Sequence, residues 1–217
     1  MKKLKNQNGR SMIEMLGVLA IIGVLSVGGI AGYSKAMMKY RINKTIEQIT
    51  LIAGNVRTFF ANQGNYKGLS TGIGCSSDSP IIIKKAKLVP DEMWIKSHYG
   101  FENILQGAFG EGVTLKAVDK NYKDDKKGFY IQFGYTQNTA GNIPDEACIE
   151  IVSQDWSNIG AQLIYIDNSN THEIRYLSTP VDINDAISAC SGRFFEDTIR
   201  FYFDIDPSNN IYKGSGI

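Results

Sequence analysis

One acidic residue, Glu14, stands at the start of an uncharged run, Met15 to Gly32, and directly after the short basic segment 1–10. A carboxylate facing hydrocarbon costs a few kcal/mol on insertion scales, so an acid within a membrane usually has a partner or a function. The run contains no basic residue that could pair with Glu14. The pattern therefore favours an ion pair with a cation on another chain, or with a backbone amine created by cleavage just upstream.

The uncharged run has about 18 residues, close to the minimum for a helix that spans a bilayer. Its basic flank also fits a conventional signal peptide, because Gly29-Ile-Ala31 before Gly32 is an acceptable small-residue cleavage site. Two features weigh against a removed signal: Glu14 interrupts the apolar region at its start, and no turn cluster follows Gly32. Both interpretations stay open at this point.

A long helix must position Glu14. Neither proline nor a turn cluster occurs between Tyr33 and Gln63. Within that stretch, apolar residues recur three and four residues apart, which is typical of one helical face: Ile42, Ile46, Ile49, Ala53, Val56 and Phe60. We expect one helix from about residue 12 to about residue 62, apolar all round in its first half and amphipathic in its second.

Beyond Gln63 the sequence predicts an α+β head with an antiparallel sheet. A turn cluster, Gly64 to Leu69, ends the helix. Alternating apolar and polar residues predict strands at 113–118, 128–135, 162–167, 173–178 and 199–204. Two short helices are predicted at 144–156, which opens with Pro and acids, and at 182–189, with Asp182 as N-cap.

The sequence contains little that indicates catalysis or ligand binding. A formal net charge of +1 gives no basic surface for nucleic acid. The two histidines, His98 and His172, lack Cys or Glu at ligand spacing, and no G-x-S-x-G, H-E-x-x-H or P-loop motif is present. The segment 204–210 has calcium-type acids and amides without the Gly and distal Glu of an EF-hand loop. We expect no enzyme activity, cofactor, metal or direct nucleic-acid binding.

The N-terminal residues Gly9-Arg-Ser-Met-Ile-Glu14, followed by Met15-Leu-Gly-Val-Leu-Ala-Ile-Ile-Gly-Val-Leu25, resemble the processing site and first helix of type IV prepilins. The resemblance implies that a membrane peptidase cleaves after Gly9 and methylates the amine of Arg10. It also implies that Glu14, then fifth in the mature chain, pairs with the α-amine of a neighbouring subunit and sets axial register. Arg10 stands where the family usually has an apolar or aromatic residue.

Two head segments, Gly64-Asn-Tyr-Lys-Gly-Leu69 and Leu88-Val-Pro-Asp-Glu-Met93, resemble the opening of the type IVb-like pilin head. The resemblance implies the type IV pilin fold. The domains would be a leader at 1–9, an apolar membrane and assembly helix at 10–33, the amphipathic half of that helix at 34–63, and the head at 64–217.

The glycines of the apolar run have two interpretations. Gly28 and Gly32 form a G-x-x-x-G pair suited to close helix packing in lipid. Glycine also loosens a helix, by about 1 kcal/mol relative to alanine. In related pilins this region of the helix unwinds within the filament near a proline that this chain lacks. The resemblance implies that Gly28 and Gly29 replace that proline.

The three cysteines allow three single-bridge pairings, which sequence alone leaves open. Glu146-Ala-Cys148 and Ser188-Ala-Cys190 resemble the type IVb pattern, in which a C-terminal disulfide encloses an exposed loop region. The resemblance therefore implies a bond between Cys148 and Cys190. Cys75, in a Gly/Ser loop, is then left over.

The resemblance predicts a structural subunit that is inserted in the bacterial inner membrane with a periplasmic head. Such subunits polymerise with their own kind into an extracellular pilus for adhesion, self-association or DNA transfer. A prepilin peptidase, an assembly ATPase and platform proteins would act on the chain. Two alternatives stay open: a minor pilin or type II secretion pseudopilin, and a periplasmic binding protein with a conventional signal peptide.

Overall fold

The computed structural model describes residues 12–71, 83–95, 104–118, 126–134, 143–168, 173–191 and 198–205. The chain divides into two units, Met1–Tyr40 and Arg41–Ile217. The predicted cleavage residues Gly9 and Arg10 lie outside the described residues, and so do Cys75, His98 and His172.

The predicted long helix is present as α1, Met12–Phe60, which has 49 residues. Its buried positions all lie in the second unit: Ile42, Thr45, Gln48, Ile49, Ile52, Ala53, Val56 and Phe60. These buried positions extend beyond the predicted stripe. One member of that stripe, Ile46, is only half-buried. Buried Thr45 donates its hydroxyl to the carbonyl of Arg41 at 3.0 Å, so the helix itself satisfies this polar group.

The sheet has seven antiparallel strands in the order β1-β2-β3-β4-β7-β5-β6. The strand bounds are Trp94–Ile95 for β1, Ile104–Gln106 for β2, Gly112–Val118 for β3, Gly128–Gly134 for β4, Ala161–Asn168 for β5, Glu173–Ser178 for β6 and Thr198–Phe203 for β7. The five longer strands confirm the predicted ones, whereas β1 and β2 are too short to leave an alternating pattern. The last described strand, β7, lies between β4 and β5 and so joins the first four strands to β5 and β6.

Alternation along the central strands builds the core on one face of the sheet. The inward residues of β4 and β7 are fully buried and oppose one another in register, Phe129 with Phe203, Ile131 with Phe201 and Phe133 with Ile199. The rings of Phe129 and Phe203 stack with their centroids 4.8 Å apart. Phe60 of α1 joins this core through Tyr66, whose ring lies 5.4 Å from Phe60 and 4.8 Å from Phe129. These contacts fix the second half of α1 to the sheet.

The two short helices are α2, Asp145–Val152, and α3, Ile183–Cys190. Asp182 caps α3 as predicted, since its carboxylate accepts the N–H of Asn184 at 2.8 Å. The first helix is shorter than predicted: α2 ends at Val152, and a 3-10 helix, Trp156–Ile159, follows it. Trp156 is buried, and its indole N–H donates to the carbonyl of Ile151 at 2.8 Å.

The opposite face of the sheet carries a half-buried cation, Arg200, among tyrosines. Its guanidinium lies 4.4 Å from the ring centroid of Tyr165 and 5.4 Å from that of Tyr130. Its Nε donates to the side-chain oxygen of Gln132 on β4. Cation–π contacts and an amide oxygen therefore stabilise this charge across three adjacent strands.

Arg57, in the last turn of α1, connects the helix to one end of the sheet's central part, where β5 begins and β7 ends. Its guanidinium donates to both carboxylate oxygens of Asp204, at 2.8 and 3.2 Å, just beyond β7. It also donates to the carbonyls of Ile159 and Gly160, just before β5. Tyr66 donates its hydroxyl to the same Asp204 carboxylate. One planar fork thus joins segments about a hundred residues or more apart in the chain.

Gly160 makes room for that fork. Its backbone has φ +76°, the left-handed region that favours glycine, and a Cβ at this position would collide with both Nη atoms of Arg57. A side chain at residue 160 would therefore strain the backbone and displace the guanidinium.

Replacing Arg57 by alanine is expected to lower the free energy of unfolding by about 1–3 kcal/mol, because two carbonyls lose this donor and Asp204 keeps only Tyr66. Arg57→Lys keeps the charge without the fork and should lose an intermediate amount. Urea denaturation of the detergent-solubilised chain measures both values. Equal stability of Arg57→Ala and the parent chain would contradict the proposed role of the fork.

Glu111 is a fully buried carboxyl at the tip of the β2–β3 hairpin. Its Oε2 accepts the N–H of Phe109 at 2.8 Å, and Gly107 leaves space where a Cβ would collide with Oε1. Arg41 of α1 lies over the ring of Phe109, 5.9 Å from its centroid. Burial raises the pKa of Glu111 to about 7, although the Phe109 N–H and the charge of Arg41 oppose the shift.

The raised pKa of Glu111 predicts that the protein loses stability as pH rises from about 4.5 to about 7. In that range the native state still binds the proton that the unfolded state has released, and the loss amounts to at most about 3 kcal/mol. Denaturation of Glu111→Gln across this range should lack that loss. The control Glu146→Gln, at an exposed position of α2, should keep it. Identical pH profiles for Glu111→Gln and the parent chain would contradict the assignment.

Candidate assembly site

The first part of α1 exposes its apolar side chains along its described length. From Met12 to Ala36 every residue is exposed in the single chain. The large apolar side chains among them are Met12, Ile13, Met15, Leu16, Val18, Leu19, Ile21, Ile22, Val24, Leu25, Val27 and Ile30. Among the described residues, α1 is the one helix long and apolar enough to cross a membrane. An exposed apolar surface of this size marks an interaction site for lipid or protein.

Glu14 lies in the first turn of the described part of α1, where its carboxylate is exposed. No cation among the described residues lies within ion-pair distance of it. The single chain therefore supplies an acid at one end of an apolar surface, and a partner cation must come from elsewhere if that surface is buried.

The five glycines of the apolar run contact nothing in the single chain: a Cβ at Gly17, Gly23, Gly28, Gly29 or Gly32 would meet no atom within 4 Å. The helix runs unbroken through Gly28 and Gly29. Their predicted loosening concerns the filament and stays a prediction. Their exposed, flat surface leaves space for the close approach of another helix.

Cys148 and Cys190 form a disulfide, the pair that the resemblance implied, with their Cα atoms 5.8 Å apart. Both cysteines are fully buried, and they join the middle of α2 to the last residue of α3. The bond closes a loop of 42 residues that contains β5 and β6. The bond therefore restrains the segment that forms β5 and β6 in the unfolded chain as well as in the folded one.

In the part of the chain that the structure describes, no group of three or more His, Cys, Asp or Glu residues could hold a metal ion. Asp204, the first residue of the segment 204–210 with calcium-type acids and amides, is bound to Arg57 and Tyr66. That carboxylate is therefore used inside the fold.

A family model described as PilS N terminal matches residues 39–202. The match covers most of the chain, from the second half of α1 to β7. The chain belongs to this family of type IV pilins. It is a type IVb pilin-like structural subunit, and its family and fold are structural, not enzymatic.

The crystal structure of the type IV b pilin from Salmonella typhi has a similar fold, with a TM-score of 0.50 and 15% sequence identity. The similarity covers 75% of this chain and 99% of that one. At this identity the likeness concerns the fold alone: a long N-terminal helix with an antiparallel sheet. No curated protein sequence matches the chain.

The residues that fix α1 in the pilin head were not predicted from the sequence. Arg57 reads as one more exposed cation of an amphipathic helix, and Asp204 as part of a C-terminal turn. Glu111 follows a glycine in a short loop, which suggests an exposed position, whereas the hairpin tip folds over its carboxyl. Each role depends on contacts between distant segments, which local patterns do not encode.

The disulfide predicts a defined count of reactive thiols. Alkylation of the denatured, unreduced chain should label one cysteine, Cys75, and all three after reduction. A Cys148→Ser and Cys190→Ser double variant should lose about 3–4 kcal/mol of stability in the chain-entropy estimate. Cys75→Ser serves as the matched control and should retain full stability. Peptide mapping that finds Cys75 in the bond would contradict the structure.

Proposed function

We propose that this chain is the polymerising subunit of a type IVb-like pilus, inserted in the inner membrane by α1 and then assembled through the same helix into an extracellular filament. The observation that carries the proposal is the exposed apolar half of α1, with Glu14 at its start, in a chain of the pilin family. The head would remain periplasmic until assembly. Adhesion, self-association and DNA transfer are the functions of such filaments that the proposal includes.

Assembly would bury the apolar half of α1 against the same half of neighbouring subunits. In lipid, helices associate through close packing and polar contacts, so the exposed glycine surfaces of the run would determine how closely the helices approach. One face of the second half of α1 is already buried in the head. The residues of α1 up to Tyr40 would thus form the filament core, and those after Tyr40 belong to the head.

Glu14 would set the register of that packing. A carboxylate left unpaired in the apolar filament core would be strongly unfavourable, and pairing with one α-amine per subunit removes the penalty at a single axial offset. The amine must be new, which requires cleavage after Gly9 by a prepilin peptidase and gives Arg10 as the methylated first residue. An assembly ATPase and platform proteins would drive the addition of subunits.

Mass spectrometry of the mature N-terminus tests the processing step. We expect the chain purified from membranes or filaments to begin at N-methyl-Arg10. A chain that begins at Gly32 would instead show conventional signal cleavage, and the pilin proposal would fail.

Substitution of Glu14 tests the register step. Glu14→Ala should still be inserted and cleaved, because the peptidase acts before subunits meet, while sheared filaments fall to a small fraction of the parent level. Glu47→Ala is the matched control: an exposed acid of the same helix whose charge is paired within its own chain to Lys44 at 3.4 Å. Normal filament yield from Glu14→Ala, measured by immunoblot of sheared material, would contradict the register role.

A further inference from the structure

A basic and aromatic collar directly follows the apolar run of α1. We define it as Tyr33, Lys35, Lys39 and Tyr40, all in the first unit and all exposed. Tyr33 is 67% and Tyr40 is 60% exposed. No Asp or Glu occurs between Met15 and Ile46, so the charge of this part of the helix is purely positive.

Helical spacing arranges the collar residues on two faces of the helix. Lys35 and Lys39 are four residues apart and share one face, while Tyr33 and Tyr40 are seven apart and share another. From Tyr33 to Tyr40 the helix rises about 10 Å. The polar layer of a bilayer is about 5–8 Å thick on each side of the hydrocarbon. When the apolar run occupies the hydrocarbon, the collar therefore begins at its edge and extends through that layer.

The residue types suit a charged lipid surface. Tyrosine places an apolar ring and a polar hydroxyl at the level of the headgroups. Lysine extends its methylene stem along apolar surface and keeps its ammonium in the polar layer. An anionic leaflet attracts each such cation, and the attraction weakens with added salt.

We propose that the collar binds the phosphate groups of anionic phospholipids at the surface where α1 leaves the bilayer. The proposal rests on the proposed function, because it requires the apolar run to be inserted. Acidic side chains of neighbouring subunits are the rival partner, but they become available only after assembly. The collar lies at headgroup depth already in the single inserted subunit.

The collar would hold the subunit in the membrane after processing. Cleavage after Gly9 would remove Lys2, Lys3 and Lys5 from the other side of the apolar run. The collar lysines are the side-chain cations nearest to the apolar run on the exit side. Their release from lipid would be part of extracting the subunit into a filament.

The test uses the full chain in phosphatidylcholine nanodiscs that contain a small fraction of spin-labelled lipid. Electron paramagnetic resonance gives the preference of the protein for labelled phosphatidylglycerol over labelled phosphatidylcholine. We expect a preference for phosphatidylglycerol that falls by about fivefold for each collar lysine removed, in Lys35→Gln and in the Lys35→Gln/Lys39→Gln double variant. The matched control Lys85→Gln/Lys116→Gln removes two exposed head lysines and should keep the preference.

Each outcome decides the proposal. Equal preference in collar and control variants overturns it. Collar variants that lose filaments but keep the lipid preference would assign the lysines to neighbouring subunits instead. Failure of the parent chain to insert, measured by flotation, would overturn the proposed function together with the collar, whereas insertion without lipid preference overturns the collar alone.

Discussion

The structure depends on one helix with two environments. From Ile42 to Phe60, α1 buries its apolar face in the core of the head. Before that stretch, the apolar side chains from Met12 to Ile30 are exposed in the single chain. Hydrophobic burial is the dominant favourable term in folding and association, so the exposed part requires lipid or other chains. Membrane insertion and polymerisation are two ways to bury the same apolar surface, and both fit a chain of the pilin family.

The head keeps its half of α1 through contacts between distant parts of the sequence. The aromatic rings of Phe60, Tyr66 and Phe129 provide the apolar contact. The hydrogen bonds from the Arg57 guanidinium to Asp204 orient the helix on the sheet. The bond between Cys148 and Cys190 restrains the region that contains β5 and β6. Glu111 adds a pH-dependent element where the β2–β3 tip meets Arg41.

Local patterns predicted much of the fold. The three- and four-residue spacing gave the extent of α1, and alternation gave the five longer strands, because both signals repeat over several residues. The two-residue β1 and three-residue β2 are too short to carry such a signal. The Arg57, Glu111 and Arg200 contacts were missed because a charged side chain is normally exposed unless a partner distant in sequence covers it. Pairing of Cys148 with Cys190 followed from resemblance, since three cysteines alone leave the choice open.

Glu14 is the residue on which the proposed assembly depends, because it is the one acid on the apolar surface. A filament map at side-chain resolution tests this most directly, through the distance from the Glu14 carboxylate to the nearest α-amine. The account predicts the Arg10 amine of a neighbouring subunit within ion-pair distance, about 4 Å, at one repeated offset. A filament in which Glu14 is exposed to water, or pairs only within its own chain, would contradict it.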